Sequence, residues 1–270
     1  MITVKDGQIV ETVALNDRAF LYGDGCFSTI RVVAGQACLW SHHLHRLREC
    51  QQRLDLQFEL SEIEQQIQHA AQQIGQGTLK IIISRGQGQR GYLPPDQPAH
   101  VYVQLFPNPQ MNDLSVLPYA ASIDSGVLDL QLGLTMPQLV GLKTLNRLEQ
   151  VLLRQALAHT PWPEALVADL TGHLVEGVQS NCFFYAQGGW QTPSLVRAGI
   201  AGVMRAEILQ RMKQQGINCQ LVDVQIADVD QIESVLFCNA LTGIVPVATL
   251  NQRPLCTARV QQLHAMLCAP

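Results

Sequence analysis

Seven residues constrain the architecture before any other feature is read: PNPQMND, 107–113, gathers two prolines, two asparagines and an aspartate in a stretch that favours neither strand nor helix. The run predicts a linker at 108–113 and divides the 270-residue chain into an N-terminal part, 1–107, and a C-terminal part, 114–270. Hydrophobic residues make up 47% of the chain, enough for each part to bury a core.

In the N-terminal part the short runs Ile2–Val4, Cys26–Val33 and Cys38–Trp40, separated by glycine turns, read as strands. Ser41 is predicted to open a helix in which Leu44, Leu47 and Leu54 recur at helical intervals, with Cys50 between them. A second helix is predicted from Ser61 to Gly75, Ser61 and Glu64 forming a capping box. Strands LKIIISRG (79–86) and HVYVQLF (100–106) follow, joined by a loop rich in Gly, Pro and Arg. The pattern is that of a small α+β lobe.

Beyond the linker, SVLPYAASI (115–123) reads as a strand. A helix is predicted from Arg147 to His159, capped by Asn146 with Glu149 at its third position; Arg147 and Glu149 are expected to orient it. ALVAD (165–169) and HLVEG (173–177) read as a hairpin around LTG, and NCFFYA with GWQTP as a second. A helix near 203–215, strands CQLVDV, SVLFCN and IVPVATL, and a last helix from 257 complete this part.

A net charge of -4, without lysine and arginine clusters, offers no footprint for nucleic acid or an anionic membrane, so the expected partner is a small molecule. The opening MITVKDGQIVE puts Lys5, Asp6 and Glu11 where a signal peptide would be apolar. The most apolar segment, SVLFCNALTGIVPVATL, is interrupted by Asn239, Thr242 and Pro246. A cytoplasmic protein is expected. Its eight cysteines form no CxxC pair and read as reduced thiols rather than a disulfide framework.

Lys143, in GLKTLNRLEQ, is one of four lysines. A lysine ahead of a helix is ordinarily a solvated surface residue, yet the approach LGLTMPQLVGL is mostly apolar, and a desolvated amine loses its proton more readily and becomes a nucleophile. Such an amine forms Schiff bases with carbonyl compounds. Pyridoxal phosphate asks for a lysine, for an acidic partner at its ring nitrogen and for a phosphate cradle. Glu176, at the end of a predicted strand, is a candidate for the second, although in isolation a solvated strand end is the more ordinary explanation. Gly199 and Gly202 precede a helix whose first N–H groups, near Val203 and Met204, would accept an anion; glycine before a helix is also common without any ligand. His42, His43 and His45 lie close together, but neighbours at i+1 diverge on a helix and no further ligand spacing accompanies them, so surface histidines rather than metal ligands are expected. GQGQRG lies between strands instead of opening a helix, which argues against a dinucleotide site.

Taken together these stretches resemble a known family. DRAFLYGDGCFSTIR (17–31), HLHRL (43–47), LKTLNRLEQ (142–150), EGVQSNCFF (176–184), GIAGVMR (199–205) and LFCNALTGIVPV (236–247) are similar, in the same order, to segments of the class IV pyridoxal-phosphate-dependent aminotransferase family. The resemblance implies a two-domain α+β fold type IV enzyme, D-amino-acid aminotransferase-like, with pyridoxal 5'-phosphate in the interdomain cleft. It also implies a smaller N-terminal domain, a larger cofactor-binding C-terminal domain, and a homodimer with sites near the subunit interface. Lys143 would then hold the cofactor as a Schiff base and move protons, Glu176 would pair with the ring nitrogen, and Arg46 would bind the phosphate with its fork of donors. Backbone N–H groups of Val203, Met204 and Ala240 would complete the cradle, and Ile200 would pack against one ring face. Branched-chain enzymes carry threonine at the positions of Met204 and Ala240, so here only the backbone serves.

Within the family, YGDGCFSTIRV, ISRGQGQRGY, KTLNRLEQVL and CNALTGIVPV look more like the carbon–oxygen lyases of folate biosynthesis than like the aminotransferases. Thr29 and Asn239 are the specificity markers of that likeness. Tyr22 and Thr29 would line the substrate pocket, and Arg90 and Tyr92, in a loop that Gly86, Gly88 and Gly91 should leave mobile, would receive substrate carboxylates. An aminotransferase acting on a D-amino acid or a branched-chain substrate would share every cofactor residue. A cofactor-free binding protein on the same fold is the third reading.

Overall fold

The computed structural model describes residues 2–5, 7–111, 115 and 117–269. The chain forms two compact units, Met1–Val116 with Leu142–Asn146, and Leu117–Gly141 with Arg147–Pro270. Of the predicted linker, Asn112 and Asp113 lie outside the described residues.

The first unit contains β1 (Ile2–Lys5), β2 (Gln8–Ile9), α1 (Arg18–Tyr22), β3 (Gly25–Val33), β4 (Gln36–Ala37), α2 (Trp40–Leu54), α3 (Leu60–Ile74), β5 (Gly77–Ser84) and β6 (His100–Pro107). Its strands form one antiparallel sheet in the order β2-β1-β6-β5-β3-β4. Alternation along β3 sends Cys26, Ser28, Ile30 and Val32 to one face and Phe27 and Thr29 to the other. The first face packs with Leu79, Ile81 and Ile83 of β5 against Leu47 and Cys50 of α2 and Ile63 and Ile67 of α3.

Two predicted starts in this unit are displaced. Cys38–Trp40 is not a strand: Ala34 and Gly35, both at positive φ (50° and 74°), make a two-residue hairpin turn that pairs Val33 with Gln36 and Val32 with Ala37. Leu39, at φ 55°, then turns the backbone so that Trp40, one residue before Ser41, begins α2. The third helix starts at Leu60, which puts Ser61 inside the helix instead of at its cap. Glu64 meanwhile accepts a hydrogen bond from the Trp40 indole at 2.9 Å, tying α3 to α2.

The second unit contains β7 (Ile123–Ser125), α4 (Leu148–Leu157), β8 (Leu166–Ala168), β9 (Leu174–Gly177), β10 (Asn181–Ala186), β11 (Gly189–Pro193), α5 (Val203–Gln214), β12 (Cys219–Val222), β13 (Ser234–Asn239), β14 (Gly243–Leu250), β15 (Arg253–Pro254) and α6 (Thr257–Leu267). The main sheet runs β12-β11-β10-β13-β14-β15, with β7 parallel beside β14, and β8 and β9 form a separate hairpin. Cys182, Phe184, Val235, Phe237 and Val247 fill its core. SVLPYAASI is not a continuous strand; Val116 is outside the described residues, and regular pairing begins only at Ile123. Pro118 has no N–H to offer a ladder, and its carbonyl instead accepts from Ile244 N at 2.8 Å. α4 begins at Leu148 with Arg147 at its N-cap and without a side-chain cap, so Asn146 does not perform the capping its sequence position suggests. Among the described residues no helix is long and apolar enough to cross a membrane.

Ile81 lies at the centre of β5 with none of its surface exposed. Ile81→Ala should therefore lower the unfolding free energy by about 2–5 kcal/mol in urea titrations followed by circular dichroism. A loss below about 1 kcal/mol would contradict a close-packed core at this position.

Candidate active site

Lys143 belongs to the first unit because the segment Leu142–Asn146 lies alongside the start of β3. Phe27 N donates to Lys143 O and Leu145 N donates to Gly25 O, each at 3.0 Å, with Thr144 bridging Cys26 between them. Only glycine permits this approach at position 25, where a Cβ would collide with the Ile83 carbonyl and the Leu145 side chain. The pairing delivers the half-buried Lys143 side chain to the outward face of β3, its Nζ 4.6 Å from the centre of the Phe27 ring. A second ammonium, Lys80 Nζ, stands 4.9 Å from the same ring, on the residue that pairs with Thr29 across β5. The sequence reading missed Lys80. As the polar position in LKIII it looks like an ordinary outward strand residue, and the signal was its register opposite Thr29.

Arg46 projects from α2 one turn after His43. Its Nη1 donates to Ser28 Oγ at 3.1 Å, and Ser28 Oγ lies 2.7 Å from His43 Nδ1. Burial pulls the Arg46 pKa down to about 10, against the opposing pull of Cys50 and Cys26, so the guanidinium keeps its charge at neutral pH. His43 is not the surface histidine expected: it is fully buried. α2 turns it toward the sheet, where its imidazole meets a hydroxyl, and burial first, then Arg46 and His42, hold its pKa well below the usual range. Among the described residues no group of three or more His, Cys, Asp or Glu side chains is arranged to hold a metal.

The loop carrying Arg90 and Tyr92 is hydrogen-bonded at its tip. Arg18, buried at the start of α1, donates from Nη1 to Gly91 O at 2.9 Å and from Nη2 to Tyr92 O at 3.0 Å, while its Nε pairs with Asp24 at 2.7 Å. Tyr22 joins this clip: its hydroxyl accepts from Gly91 N at 3.2 Å, its ring lies under the Arg18 guanidinium at 4.8 Å, and the Tyr92 ring is 5.6 Å away. The Arg90 and Tyr92 side chains are exposed, Tyr92 by 87%.

In the second unit Glu176 is the last residue but one of β9 and is buried. Its Oε2 accepts from Ile200 N at 2.9 Å and from Asn181 Nδ2 at 3.4 Å. Asn181 also donates to Ile200 O at 2.8 Å, so one amide joins the carboxylate to the turn that precedes α5. Gly199, at φ 91°, lets that turn pass close to Glu176; Gly202 leaves space for Asn181, whose Oδ1 a Cβ there would strike. Gly202 is the N-cap of α5 and brings no capping side chain to the first turn, where Val203 and Met204 lie. Asn181 is a second residue that sequence reasoning missed, although a polar residue opening the buried run NCFFYA was a signal.

Asn239 is committed to its own turn. Its Oδ1 accepts from Leu241 N at 3.0 Å and Thr242 N at 2.9 Å, and its Nδ2 donates to Ser180 Oγ at 3.2 Å. Ser180 Oγ in turn donates to Glu164 at 3.0 Å, and Glu164, buried, also accepts from the N–H groups of Ala165, Val178 and Gln179. The marker residue therefore sets the turn that carries Ala240, a role fixed by tertiary hydrogen bonds.

Each unit taken by itself carries groups that suit pyridoxal phosphate: the first an amine for an aldehyde and a guanidinium for a phosphate, the second a held carboxylate for a ring nitrogen and an uncapped helix N-terminus for a phosphate. The chain belongs to the class IV aminotransferase family, whose profile (Amino-transferase class IV) matches residues 25–250. Among individual proteins, it is 33% identical to the aminodeoxychorismate lyase of Vibrio harveyi over 245 residues, 88% of each chain. The crystal structure of 4-amino-4-deoxychorismate lyase from Pseudomonas aeruginosa superposes with a TM-score of 0.85 at 33% identity, covering 97% of both chains. A hypothetical aminotransferase from Mycobacterium tuberculosis in its PLP-bound form shares the fold, with a TM-score of 0.81 at 22% identity over 99% of this chain and 97% of that one.

Gly202→Ala should push Asn181 out of register with Glu176 and the α5 turn, and weaken pyridoxal phosphate binding roughly tenfold in an absorbance titration of the apoprotein. Unchanged affinity would separate this turn from the cofactor.

Proposed function

We propose that this protein is an aminodeoxychorismate lyase, a pyridoxal-phosphate-dependent carbon–oxygen lyase that converts 4-amino-4-deoxychorismate to 4-aminobenzoate and pyruvate in folate biosynthesis, working as a cytoplasmic homodimer. The observation that carries this reading is the 33% identity, sustained over 97% of both chains, to the Pseudomonas aeruginosa lyase. Lys143, Arg46, Glu176, Ile200, Val203, Met204 and Ala240 are the residues assigned to the cofactor.

The bound cofactor supplies an electron sink beside the carbon that carries the substrate amine. Lys143 is the base at that carbon and takes its proton; Glu176, held by Ile200 N and Asn181, keeps negative charge opposite a protonated ring nitrogen. Loss of that proton and cleavage of the neighbouring carbon–oxygen bond leave an aromatic ring. The oxygen departs with the bonding pair, and a proton from Lys143 or water at the enol methylene completes pyruvate. The substrate brings two carboxylates. Lys80, beside Thr29, and Arg90, with its fork of donors, are the cations assigned to them, with Tyr22, Thr29, Tyr92 and the turn held by Asn239 shaping the pocket.

The purified protein should release pyruvate from 4-amino-4-deoxychorismate without any keto-acid acceptor, as followed by coupled lactate dehydrogenase. Strict dependence on 2-oxoglutarate would replace this reading with an aminotransferase. Lys143→Ala should remove the absorption band of lysine-bound cofactor together with the activity, and a variant that retains the band would exclude Lys143 as the anchor. A wild-type protein that takes up no cofactor at all would return the chain to a binding role.

A further inference from the structure

We propose that Ser28 and His43 are positioning residues for Arg46: a buried Arg46–Ser28–His43 chain fixes the guanidinium for the cofactor phosphate, an inference that rests on the reading of Arg46 as a phosphate ligand.

Two elements build the chain. Residues three apart on α2 share a face, so His43 and Arg46 point the same way, and the inward alternation of β3 brings Ser28 to meet them. Ser28 and His43 are both 0% exposed. The donor inventory fixes the direction of the first hydrogen bond, and the proposed chain assigns that of the second. A guanidinium only donates, so Ser28 Oγ accepts from Arg46 Nη1 at 3.1 Å. In the proposed chain the hydroxyl gives its one proton to His43 Nδ1, 2.7 Å away. That assignment makes His43 the neutral tautomer with its proton on Nε2, an atom that is buried with no hydrogen-bond partner among the described residues.

That orphan matters. Burying a polar N–H without a partner costs free energy, and a hydrophobic residue at position 43 would avoid the cost, so packing does not explain the imidazole. What the imidazole does provide is an acceptor that holds the Ser28 hydroxyl in one rotamer, lone pair toward Arg46. Protonated His43 would have to donate into the same oxygen and place a second cation beside the guanidinium; its depressed pKa, caused chiefly by burial, keeps it neutral. Because two hydrogen bonds on rigid elements define its direction, the guanidinium meets the phosphate with little rotamer entropy left to lose.

The test compares two probes, pyridoxal phosphate and pyridoxal, titrated into full-length apoprotein by absorbance. Ser28→Ala and His43→Leu should each weaken pyridoxal phosphate on the order of tenfold while leaving pyridoxal unchanged. His43→Asn, whose amide oxygen can replace Nδ1 as acceptor, should restore most of the loss. In an Arg46→Met background Ser28→Ala should add nothing, as required if it acts only through Arg46. Equal weakening of both probes, or no weakening in a folded Ser28→Ala or His43→Leu variant, would overturn the proposal. If Arg46→Met itself leaves the preference for the phosphorylated probe intact, the failure lies with Arg46 as phosphate ligand instead.

Discussion

Two backbone hydrogen bonds, Phe27 N to Lys143 O and Leu145 N to Gly25 O, are the constraint on which the candidate chemistry depends. A lysine has a long flexible stem, and on a loose loop its amine would sample many positions. Here the backbone on both sides of Lys143 is tied to the end of a buried strand, and the ring of Phe27 receives the ammonium. The absence of a side chain at Gly25 is what allows the segment so close.

The same solution recurs at the other functional groups. Each is held by a neighbour whose own hydrogen bonds are used up elsewhere: Arg46 by Ser28, Glu176 by Ile200 N and Asn181, and the Ala240 turn by Asn239, Ser180 and Glu164. A single hydrogen bond of this kind adds only about 0.5–1.5 kcal/mol of net stability, while a buried group left unpaired costs about 1–3 kcal/mol. Such networks specify one arrangement more than they strengthen the fold, and their disruption is expected in ligand affinity before it is seen in unfolding.

The sequence made the regular elements legible where period and composition decide them. LKIIISRG and HVYVQLF are strands with nearly the ends expected, both hairpins of the second unit form, and the helices near 203 and 257 begin where their patterns begin. It failed where a single backbone angle or a distant partner decides. Leu39 is left-handed, which its residue type does not announce, and Pro118, whose missing N–H was a signal passed over, lies outside any ladder. At the candidate site, Lys143, Glu176 and the glycines before α5 were readable as candidates from residue type alone. Their supports were not, because Ser28, Asn181, Lys80 and Arg18 are ordinary residues until register and burial place them. His43 shows the limit well: in HHLHRL every polar position looks alike, and only the packing of α2 on β3 separates the buried imidazole from its neighbours.

One particular amine is proposed to carry the cofactor, and the chain offers four lysines among which to choose, at positions 5, 80, 143 and 213. Borohydride reduction of the loaded protein followed by peptide mass mapping distinguishes them directly. The reduced adduct is expected on Lys143 alone; an adduct on Lys80, which stands beside the same Phe27 ring, or no adduct on Lys143, would overturn the assignment.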